Sequence, residues 1–282
     1  MEVRELQKGN FGVNNVLLGG LAGIALKRDR SKYRLDFLRL QNGESKAGIF
    51  EFENAQQAAN FVAFQHNLEY SERSLTNVLI NGAHANSDGS WKVEWKLSPT
   101  RSKITDPDIR FTRYEYESSG LRISTEAGFP QRIWRFLEED NVVAMLGATR
   151  DYHFNGEAAR LKFGAGNTWK QRNYEIQIFD LNIRNLQLGG DPNELFLEQN
   201  LWPAGGSAGR GTTYEPQFVP VNPNLFESSV SNASAYVSNE FAVVNKVKAV
   251  VGLRVENYVQ YYTGRNQTGS KVLNNDKVLD ML

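Results

Sequence analysis

The sequence contains no cysteine and no apolar run long enough to form a transmembrane helix. The absence of cysteine excludes disulfide bonds and metal sites with thiolate ligands. No stretch approaches 18 consecutive apolar residues, which is about the shortest length that crosses the hydrocarbon as a helix. A transmembrane β-strand alternates apolar with polar residues instead, so the mean hydropathy of -0.49 is compatible with a membrane β-barrel.

The sequence also lacks an excess of charge of either sign. Lys and Arg together number 32, as do Asp and Glu, and this balance gives no electrostatic reason to expect nucleic acid as a partner. The N-terminal residues 1–6 do not show the basic and then apolar pattern of a signal peptide. If the protein is exported, we therefore expect this chain to be a piece of something longer.

Catalytic motifs in their required context are absent as well. There is no His-Glu-x-x-His motif, and Gly205-Gly206-Ser207-Ala208-Gly209, which matches Gly-x-Ser-x-Gly by letter, stands in a Gly-rich loop stretch without the strand before it and the helix after it that form a nucleophile elbow. His66, His84 and His153 lie far apart, with no second ligand at metal-binding spacing. The glycines of 205–211 lack the helix and the Lys-Ser/Thr of a phosphate-binding loop, and the adjacent carboxylates of 138–140 are predicted to point to alternating faces of a strand. We therefore predict no catalytic residue, no metal and no cofactor.

What is present from end to end is alternation of apolar and polar residues with a period of two. The clearest runs are 91–97, 159–163 and 247–256, in which one face is apolar and the other is mostly charged or glycine. This pattern predicts an all-β fold. We expect a long antiparallel meander of about eight strands.

The segments between these runs are of two kinds. Short polar turns, two of them with the Asn-Gly or Asp-Gly pairs that favour tight hairpins, are predicted at 28–31, 86–90, 155–157 and 244–246. Long connections rich in Gly, Pro and Asn are predicted at 43–60, 117–130 and 183–228. Short turns at one end and long loops at the other are typical of an outer-membrane barrel.

A soluble β-sandwich or propeller would alternate in the same way, so two further features favour the membrane. Segments 60–86, 133–154 and 158–180 have strand-like sequence without a strong breaker, whereas soluble strands usually have about five or six residues. Large aromatic side chains fall beside the short turns, as in an interfacial girdle, and smaller apolar residues fill the strand centres. These aromatic residues are Tyr33, Trp91, Tyr152 and Phe154.

Several segments, in order over residues 12–260, resemble the barrel of TonB-dependent outer-membrane receptors, especially the branch that begins with a carboxypeptidase-regulatory-like domain. The resembling segments are Tyr70-Ser71-Glu72-Arg73-Ser74-Leu75, Gly82-Ala83-His84, Trp91 to Trp95, Asp106-Pro107-Asp108-Ile109-Arg110, Arg132 to Asn141, Ala235-Tyr236-Val237 and Gly252 to Glu256.

The resemblance implies a receptor that binds an extracellular ligand and imports it through a plugged, 22-stranded barrel in the outer membrane of a Gram-negative bacterium. The implied partners are outer-membrane lipid, a plug domain, the rest of the barrel and the inner-membrane TonB complex. The plug, the TonB-contacting segment and the aromatic C-terminal strand of the family are not found in the sequence. We therefore expect residues 1–282 to form a single partial barrel domain with 183–228 as a long extracellular loop.

Two other interpretations remain open at this point. One is a different outer-membrane barrel, such as a porin or an assembly protein. The other is a soluble, secreted β-sheet binding protein. A porin would have no plug domain and a soluble binder would have no terminal aromatic strand.

Placing the short turns at the periplasmic rim predicts which side chains face lipid. Ala159, Leu161, Phe163 and Ala165 are predicted to face lipid, and Gly164 and Gly166 are predicted to be small residues facing the lumen. The charged side chains predicted to face the lumen are Arg160, Lys162, Arg254 and Glu256. A charge on the lipid face would cost about 2–4 kcal/mol at the bilayer midplane.

The long loop 183–228 is the predicted ligand-binding surface. Its most contact-prone side chains are Trp202, Arg210, Tyr214 and Phe218. Exposed aromatic rings on such a loop can stack on sugars, aromatic chelators or peptides. The alternative is that these side chains pack the loop against its neighbours, and the ligand class cannot be derived from them.

Overall fold

A computed structural model gives the structure of the chain. It describes residues 5–54, 61–117, 120–123, 128–186, 188, 191–202, 209–218, 221–244, 247–266 and 268–281. Within these residues the strands are β1 Glu5–Arg28, β2 Ser31–Asn54, β3 Phe61–Ala85, β4 Trp91–Glu117, β5 Gly120–Arg122, β6 Gln131–Phe154, β7 Glu157–Arg184, β8 Gly211–Pro216, β9 Phe226–Val244, β10 Val247–Arg265 and β11 Lys271–Met281. Among the described residues, no helix has the length and apolarity needed to cross a membrane.

All of these strands belong to one antiparallel sheet. Nine strands follow one another in the order β1-β2-β3-β4-β6-β7-β9-β10-β11, while the short β5 pairs with β4 and β8 pairs with β7. The predicted all-β antiparallel meander is therefore confirmed, with nine strands in sequence where about eight were expected.

The strands are much longer than those of ordinary soluble sheets. Strands β3, β4 and β7 contain 25, 27 and 28 residues. At about 3.4 Å per residue, each is roughly 85–95 Å long. The unbroken strands predicted at 60–86, 133–154 and 158–180 are thus found, with small differences at their ends.

The predicted short turns close the hairpins. Asn155 and Gly156 connect β6 to β7 with φ values of 52° and 83°, the left-handed conformation for which Asn-Gly is suited. Asp29 at the β1–β2 turn has φ 51°, and residues 86–90 connect β3 to β4. The turn predicted at 244–246 joins β9 to β10, although Asn245 and Lys246 lie outside the described residues.

The prediction of a long loop at 43–60 is wrong for residues 43–54. These residues continue β2 and pair with β1 on one side and with β3 on the other. Backbone hydrogen bonds on both sides hold this glycine-containing, polar stretch in the sheet despite its weak strand propensity. Residues 55–60 lie outside the described part.

The segments predicted at 117–130 and 183–228 include regular structure. The first contains β5, and the second contains two single-turn 3₁₀ helices, Pro192–Phe196 and Glu198–Asn200, together with β8. Strand β9 begins at Phe226, before the predicted loop ends.

The sheet has a covered core at only one described place. There, part of the β7–β9 connection lies on the strand ends and buries Tyr114, Leu181, Leu195 and Thr212. Elsewhere large apolar side chains are exposed, for example Leu18 at 71% and Ile24 at 69%. Because a sheet normally buries its apolar face against a second layer, this face requires a cover from outside the described residues.

Candidate functional site

The two faces of the sheet differ in chemistry, and register shows which residues share a face. On β7, Leu161 and Phe163 lie opposite Asn239 and Val237 of β9, whereas Arg160 and Lys162 lie opposite Glu240 and Ser238. We call the face that carries Phe163 the apolar face and the face that carries Arg160 the polar face.

The apolar side chains of the apolar face form a band across eight strands, which we call the belt. Its limits are 16–26 on β1, 33–37 on β2, 78–82 on β3, 91–99 on β4, 142–148 on β6, 159–169 on β7, 233–237 on β9 and 249–255 on β10. Among the side chains that these segments place on the apolar face, Asn167 is polar, and Asn239 of β9, which lies between Leu161 and Val251 in register, interrupts the band. The four predicted lipid-facing residues of β7 lie in the belt, and Ala159 among them is buried.

The belt ends abruptly on the side away from the short turns. One row of residues in register across β2, β3, β4, β6 and β7 consists of Arg39, Thr76, Arg101, Asp140 and Gln171. Arg101 donates to Glu138 at 3.0 Å, and its Nε lies 3.8 Å from Asp140. On these strands the apolar face therefore changes from apolar side chains to polar and charged side chains, some of them in ion pairs. The change occurs between one residue of this face and the next, which are two positions apart along the strand.

The belt crosses the strands obliquely. Leu26, at its lower end on β1, is linked by register through seven steps to Val255, at its upper end on β10. The linking residues are Tyr33, Gly82, Trp95, Leu146, Ala165 and Ala235. Averaged from β1 to β10, the belt thus drifts by about one residue per strand, which with ~3.3 Å per residue and ~4.8 Å between strands corresponds to a mean tilt of roughly 35–40°, although its upper limit stays in one register row from β2 to β7.

This geometry matches that of strands crossing a bilayer. Barrel strands tilt by about 35–45° and their outward apolar band is about 25 Å tall. Segments 91–99 and 159–169 extend for about 26 and 33 Å along their strands, which is roughly 20–26 Å along the normal to the belt at this tilt, whereas 33–37, 78–82 and 233–237 extend for only about 13 Å along theirs. The belt therefore reaches bilayer height on β4 and β7 and is narrower on β2, β3 and β9.

Aromatic side chains lie at the turn-side margin of the belt. The Trp95 indole N–H donates to Nε2 of His84 at 3.1 Å, and the other ring nitrogen of His84 is 3.0 Å from the Ser31 hydroxyl. The Trp95 ring also covers Gly82, because a Cβ at that position would lie 2.5 Å from its ring atoms. Trp91, Tyr33 and Tyr152 complete this margin, as expected for an interfacial girdle.

Replacement of Gly82 by Val is expected to displace the Trp95 ring and to lower the free energy of unfolding by about 1–3 kcal/mol, the usual cost of overpacking. The matched control is Gly20→Val, since a Cβ on Gly20, also in the belt, meets no atom within 4 Å. Denaturant unfolding in detergent micelles, followed by tryptophan fluorescence, measures both changes. An equal effect of the two substitutions would contradict the packing role of Gly82.

On the polar face, charged side chains near the short turns form a row of alternating sign. Asp151 lies 2.5 Å from Arg160 and 3.5 Å from Lys92, and Glu240 lies 3.5 Å from Lys248. Arg160, one of the predicted lumen-facing residues, is thus held between carboxylates of β6 and β9.

The other three predicted lumen-facing charges are on the same face. Arg254 pairs with Glu256 of its own strand at 2.5 Å, whereas Lys162 has no carboxylate within ion-pair distance in the part of the chain that the structure describes. The Tyr236 ring, in register with Arg254, lies over Gly164, where a Cβ would be 2.8 Å from it. The small residue predicted at Gly164 therefore makes room for this ring.

Further from the turns, three aromatic rings of adjacent strands stack on the polar face. The centroids of Tyr174 and Phe226 are 5.2 Å apart with an interplanar angle of 26°, and those of Phe226 and Tyr262 are 5.6 Å apart with an angle of 30°. We call these three residues the aromatic ladder. Sequence reasoning missed it, because only the register of β7, β9 and β10 brings the rings together.

The carboxylates of 138–140 alternate between faces, as predicted. On the apolar side, beyond the belt, Glu138 pairs with Lys103 and Arg101. On the polar side Glu139 pairs with Arg172 and, at 3.4 Å, with Lys170. Glu138 and Asp140 share Arg101 on the apolar face, while Glu139 has its own cationic partners on the polar face, so the three do not form a common carboxylate site.

The first 3₁₀ turn of the β7–β9 connection is fastened to the apolar face, well beyond the belt. Phe196 lies beneath two guanidinium groups, with the Arg110 and Arg132 carbons 4.7 and 4.8 Å from the ring centroid. Asp108 binds both arginines, at 2.6 and 2.7 Å, and Arg132 donates to the Tyr214 hydroxyl at 2.7 Å. We call these five residues the latch.

Burial alone would raise the pKa of Asp108, but hydrogen bonds from Arg132 and Arg110 outweigh it and lower the pKa below its usual value. Nearby, burial raises the pKa of Tyr114 and lowers that of His66. The latch is thus an ionised, partly desolvated cluster. It holds the first 3₁₀ turn of the β7–β9 connection on the apolar face of the sheet.

The four residues predicted to bind ligand are in different situations. Tyr214 belongs to the latch, and Trp202 lies under Arg184, whose guanidinium carbon is 5.3 Å from the ring centroid. Arg210 is exposed and Phe218 is half-buried. Tyr214 and Trp202 thus make packing contacts within the chain, and ligand binding by any of the four residues stays a prediction.

The histidines are dispersed, and no group of three or more His, Cys, Asp or Glu side chains that could hold a metal is found among the described residues. His66 lies beside Tyr114 with ring centroids 5.4 Å apart, His84 belongs to the Trp95 cluster, and His153 is exposed.

No family model and no curated protein matches the chain. Among solved structures, the chain is similar to the siderophore receptor PiuA from Acinetobacter baumannii, with 11% identity and a TM-score of 0.45 over 98% of this chain. It is also similar to BauA, the ferric preacinetobactin receptor from the same organism, with 12% identity and a TM-score of 0.39 over 100% of this chain. The chain spans 45% of the length of each. Both of these proteins are named as receptors.

Proposed function

We propose that the chain is part of the barrel wall of a TonB-dependent outer-membrane receptor, which binds an extracellular ligand and imports it by energy-coupled transport. The single observation that carries the membrane assignment is the belt, an apolar band across eight strands that reaches bilayer height on β4 and β7 and whose mean tilt is that of a transmembrane barrel. Further support for a receptor comes from the motifs between residues 70 and 256.

A soluble sheet could not leave this belt uncovered. Monomeric soluble proteins rarely expose contiguous apolar patches of more than a few hundred Å², and the belt spans eight strands. Lipid tails cover such a face without specific packing, which fits side chains as exposed as Leu146 at 58% and Leu253 at 54%. Charged residues on the opposite face then border the lumen.

In this orientation the short turns are periplasmic and the long strand ends extend above the outer leaflet. The ligand enters from that end, where the polar face carries the aromatic ladder and the ion pairs of Glu139. We propose that the ladder contributes to ligand binding together with Arg210 and Phe218. The latch keeps the 3₁₀ turns on the outside of the wall, and therefore away from the mouth.

The partners of this proposal are a plug domain and further barrel strands outside the chain, outer-membrane lipid and the TonB complex. The role proposed is transport rather than catalysis. The ion pairs of Arg160, Arg254 and Glu256 belong to the lumenal surface, where a plug or water would meet them.

Growth of deletion strains tests the proposal. Deletion of the gene is expected to abolish growth on one scarce nutrient, and deletion of the energy-coupling protein TonB is expected to abolish growth on the same nutrient. Fractionation should place the protein in the outer membrane. A passive porin, the second candidate, would support growth without TonB, and recovery in a soluble fraction would exclude both.

A further inference from the structure

The β1–β2 hairpin tip is unusually rich in unpaired cations. Lys27, Arg28, Arg30 and Lys32 are all exposed, and Asp29 is the one acid among them. No carboxylate lies within ion-pair distance of these four cations in the described part of the chain. In contrast, the nearby Arg34 pairs with Asp36 at 2.7 Å.

Two cations of this tip are in positions that weaken the pairing of β1 with β2. Lys27 and Lys32 are directly opposite each other in register, and like charges in this position destabilise a strand pair. At the other hairpin tips the corresponding cations have partners, since Lys92 and Arg160 share Asp151 and Lys248 pairs with Glu240. Lys27 and Lys32 are on the polar face, so an anion on the lipid side of the tip would offset their repulsion at longer range, while Arg28 on the apolar face could meet it directly.

The tip also lies at a defined depth relative to the belt. Leu26 and Tyr33, the last belt residues of β1 and β2, are a register pair, and Arg28 lies one step beyond them on the apolar face. If the belt spans the hydrocarbon, these cations lie at the level of lipid headgroups. This step depends on the membrane location proposed above.

We propose that the β1–β2 tip binds the anionic phosphodiester headgroup of phosphatidylglycerol in the leaflet reached by the short turns. Arg28 and Arg30 are suited to phosphate because the guanidinium group donates two parallel hydrogen bonds. Lys27 and Lys32 lie on the polar face and add only longer-range positive charge, and Tyr33 stands at the interface as an anchor. Each cation near an anionic surface raises the binding constant about five-fold at low ionic strength.

The test is quenching of tryptophan fluorescence by brominated lipid in the protein inserted into phosphatidylcholine vesicles. Trp95 is a suitable reporter, as it faces lipid in the belt two strands from Tyr33 in register. For the native protein we expect brominated phosphatidylglycerol to compete at least ten-fold better than brominated phosphatidylcholine. Concentrated salt should weaken this preference.

The test variant is Lys27→Gln, Arg28→Gln and Arg30→Gln combined, and the control is Lys92→Gln, Arg160→Gln and Lys248→Gln, which removes the same charge from other tips. The test variant should lose most of the preference while inserting normally, and the control should keep it. Insertion with equal quenching by both lipids in the native protein, or equal loss in both variants, would overturn this inference alone. Failure of the native protein to insert in any vesicle would overturn the membrane proposal and this inference with it.

Discussion

Replacement of Leu146 by Arg is expected to prevent stable insertion of the protein. Leu146 lies near the middle of the belt on β6, between the belt limits 142 and 148, and is 58% exposed. A guanidinium group at the bilayer midplane of a barrel costs about 2–4 kcal/mol. Equilibrium unfolding from lipid vesicles measures the change directly, and the folded fraction in the outer membrane should fall in parallel.

The neighbouring Met145 supplies a closely matched control. It is of similar size and 51% exposed, but it lies on the polar face, in register with Gly166 and Lys96. An arginine there meets water or polar groups of the lumen, so Met145→Arg should change the free energy of unfolding by well under 1 kcal/mol, as surface substitutions usually do. Equal damage from both substitutions would mean that the belt does not face lipid.

The strands were predictable because their signal is local. Alternation in 91–97 and 159–163 needs no knowledge of partners, and the Asn155-Gly156 turn is specified by its own backbone requirements. Residues 43–54 were misjudged for the converse reason. Their glycines and charges weaken local strand propensity, and pairing with β1 and β3 overrides it.

Features that depend on register or on distant contacts could not be derived from the pattern. The stacking of Tyr174 on Phe226 joins residues of different strands whose register is fixed only by the assembled sheet. Arg132 and Tyr214, joined in the latch, are separated by 82 positions. The sequence pattern of an aromatic residue on a loop is the same whether the residue binds a ligand or an arginine of its own chain. The contact of Tyr214 with Arg132 could therefore not be distinguished from ligand binding by sequence alone.

The latch leads to the second large effect, which we expect for Asp108→Asn. The Asp108 carboxylate neutralises Arg110 and Arg132, whose side chains are 26% and 19% exposed, and Phe196 rests against both guanidinium groups. Removing the charge leaves two adjacent cations partly buried and unbalanced. Hydrogen bonds to charged groups contribute about 1.5–3 kcal/mol each in such sites, so release of the connection should become roughly ten- to a hundred-fold more frequent.

Hydrogen exchange of backbone amides reports this release. The amide of Trp202 donates to Thr212 at 2.9 Å and that of Asn200 to Leu197 at 2.9 Å, and both should lose protection in Asp108→Asn. The control is Asp106→Asn, which breaks a pair of similar geometry with Arg135, at 2.8 Å, on the opposite face of the same strand. It should leave protection of 194–202 unchanged, and loss of protection in both variants would assign the effect to β4 and not to the latch.

The latch also makes the attachment of the β7–β9 connection depend on pH. The pKa of Asp108 is lowered in the folded protein, so its contribution to stability is present above the ordinary pKa of about 3.9 and is lost as pH falls from there through the folded pKa. The connection should therefore remain fastened at neutral and mildly acidic pH and detach only in stronger acid. Acid titration followed by the fluorescence of Trp134, beside Arg132, should show a transition below about pH 4 that is absent in Asp108→Asn.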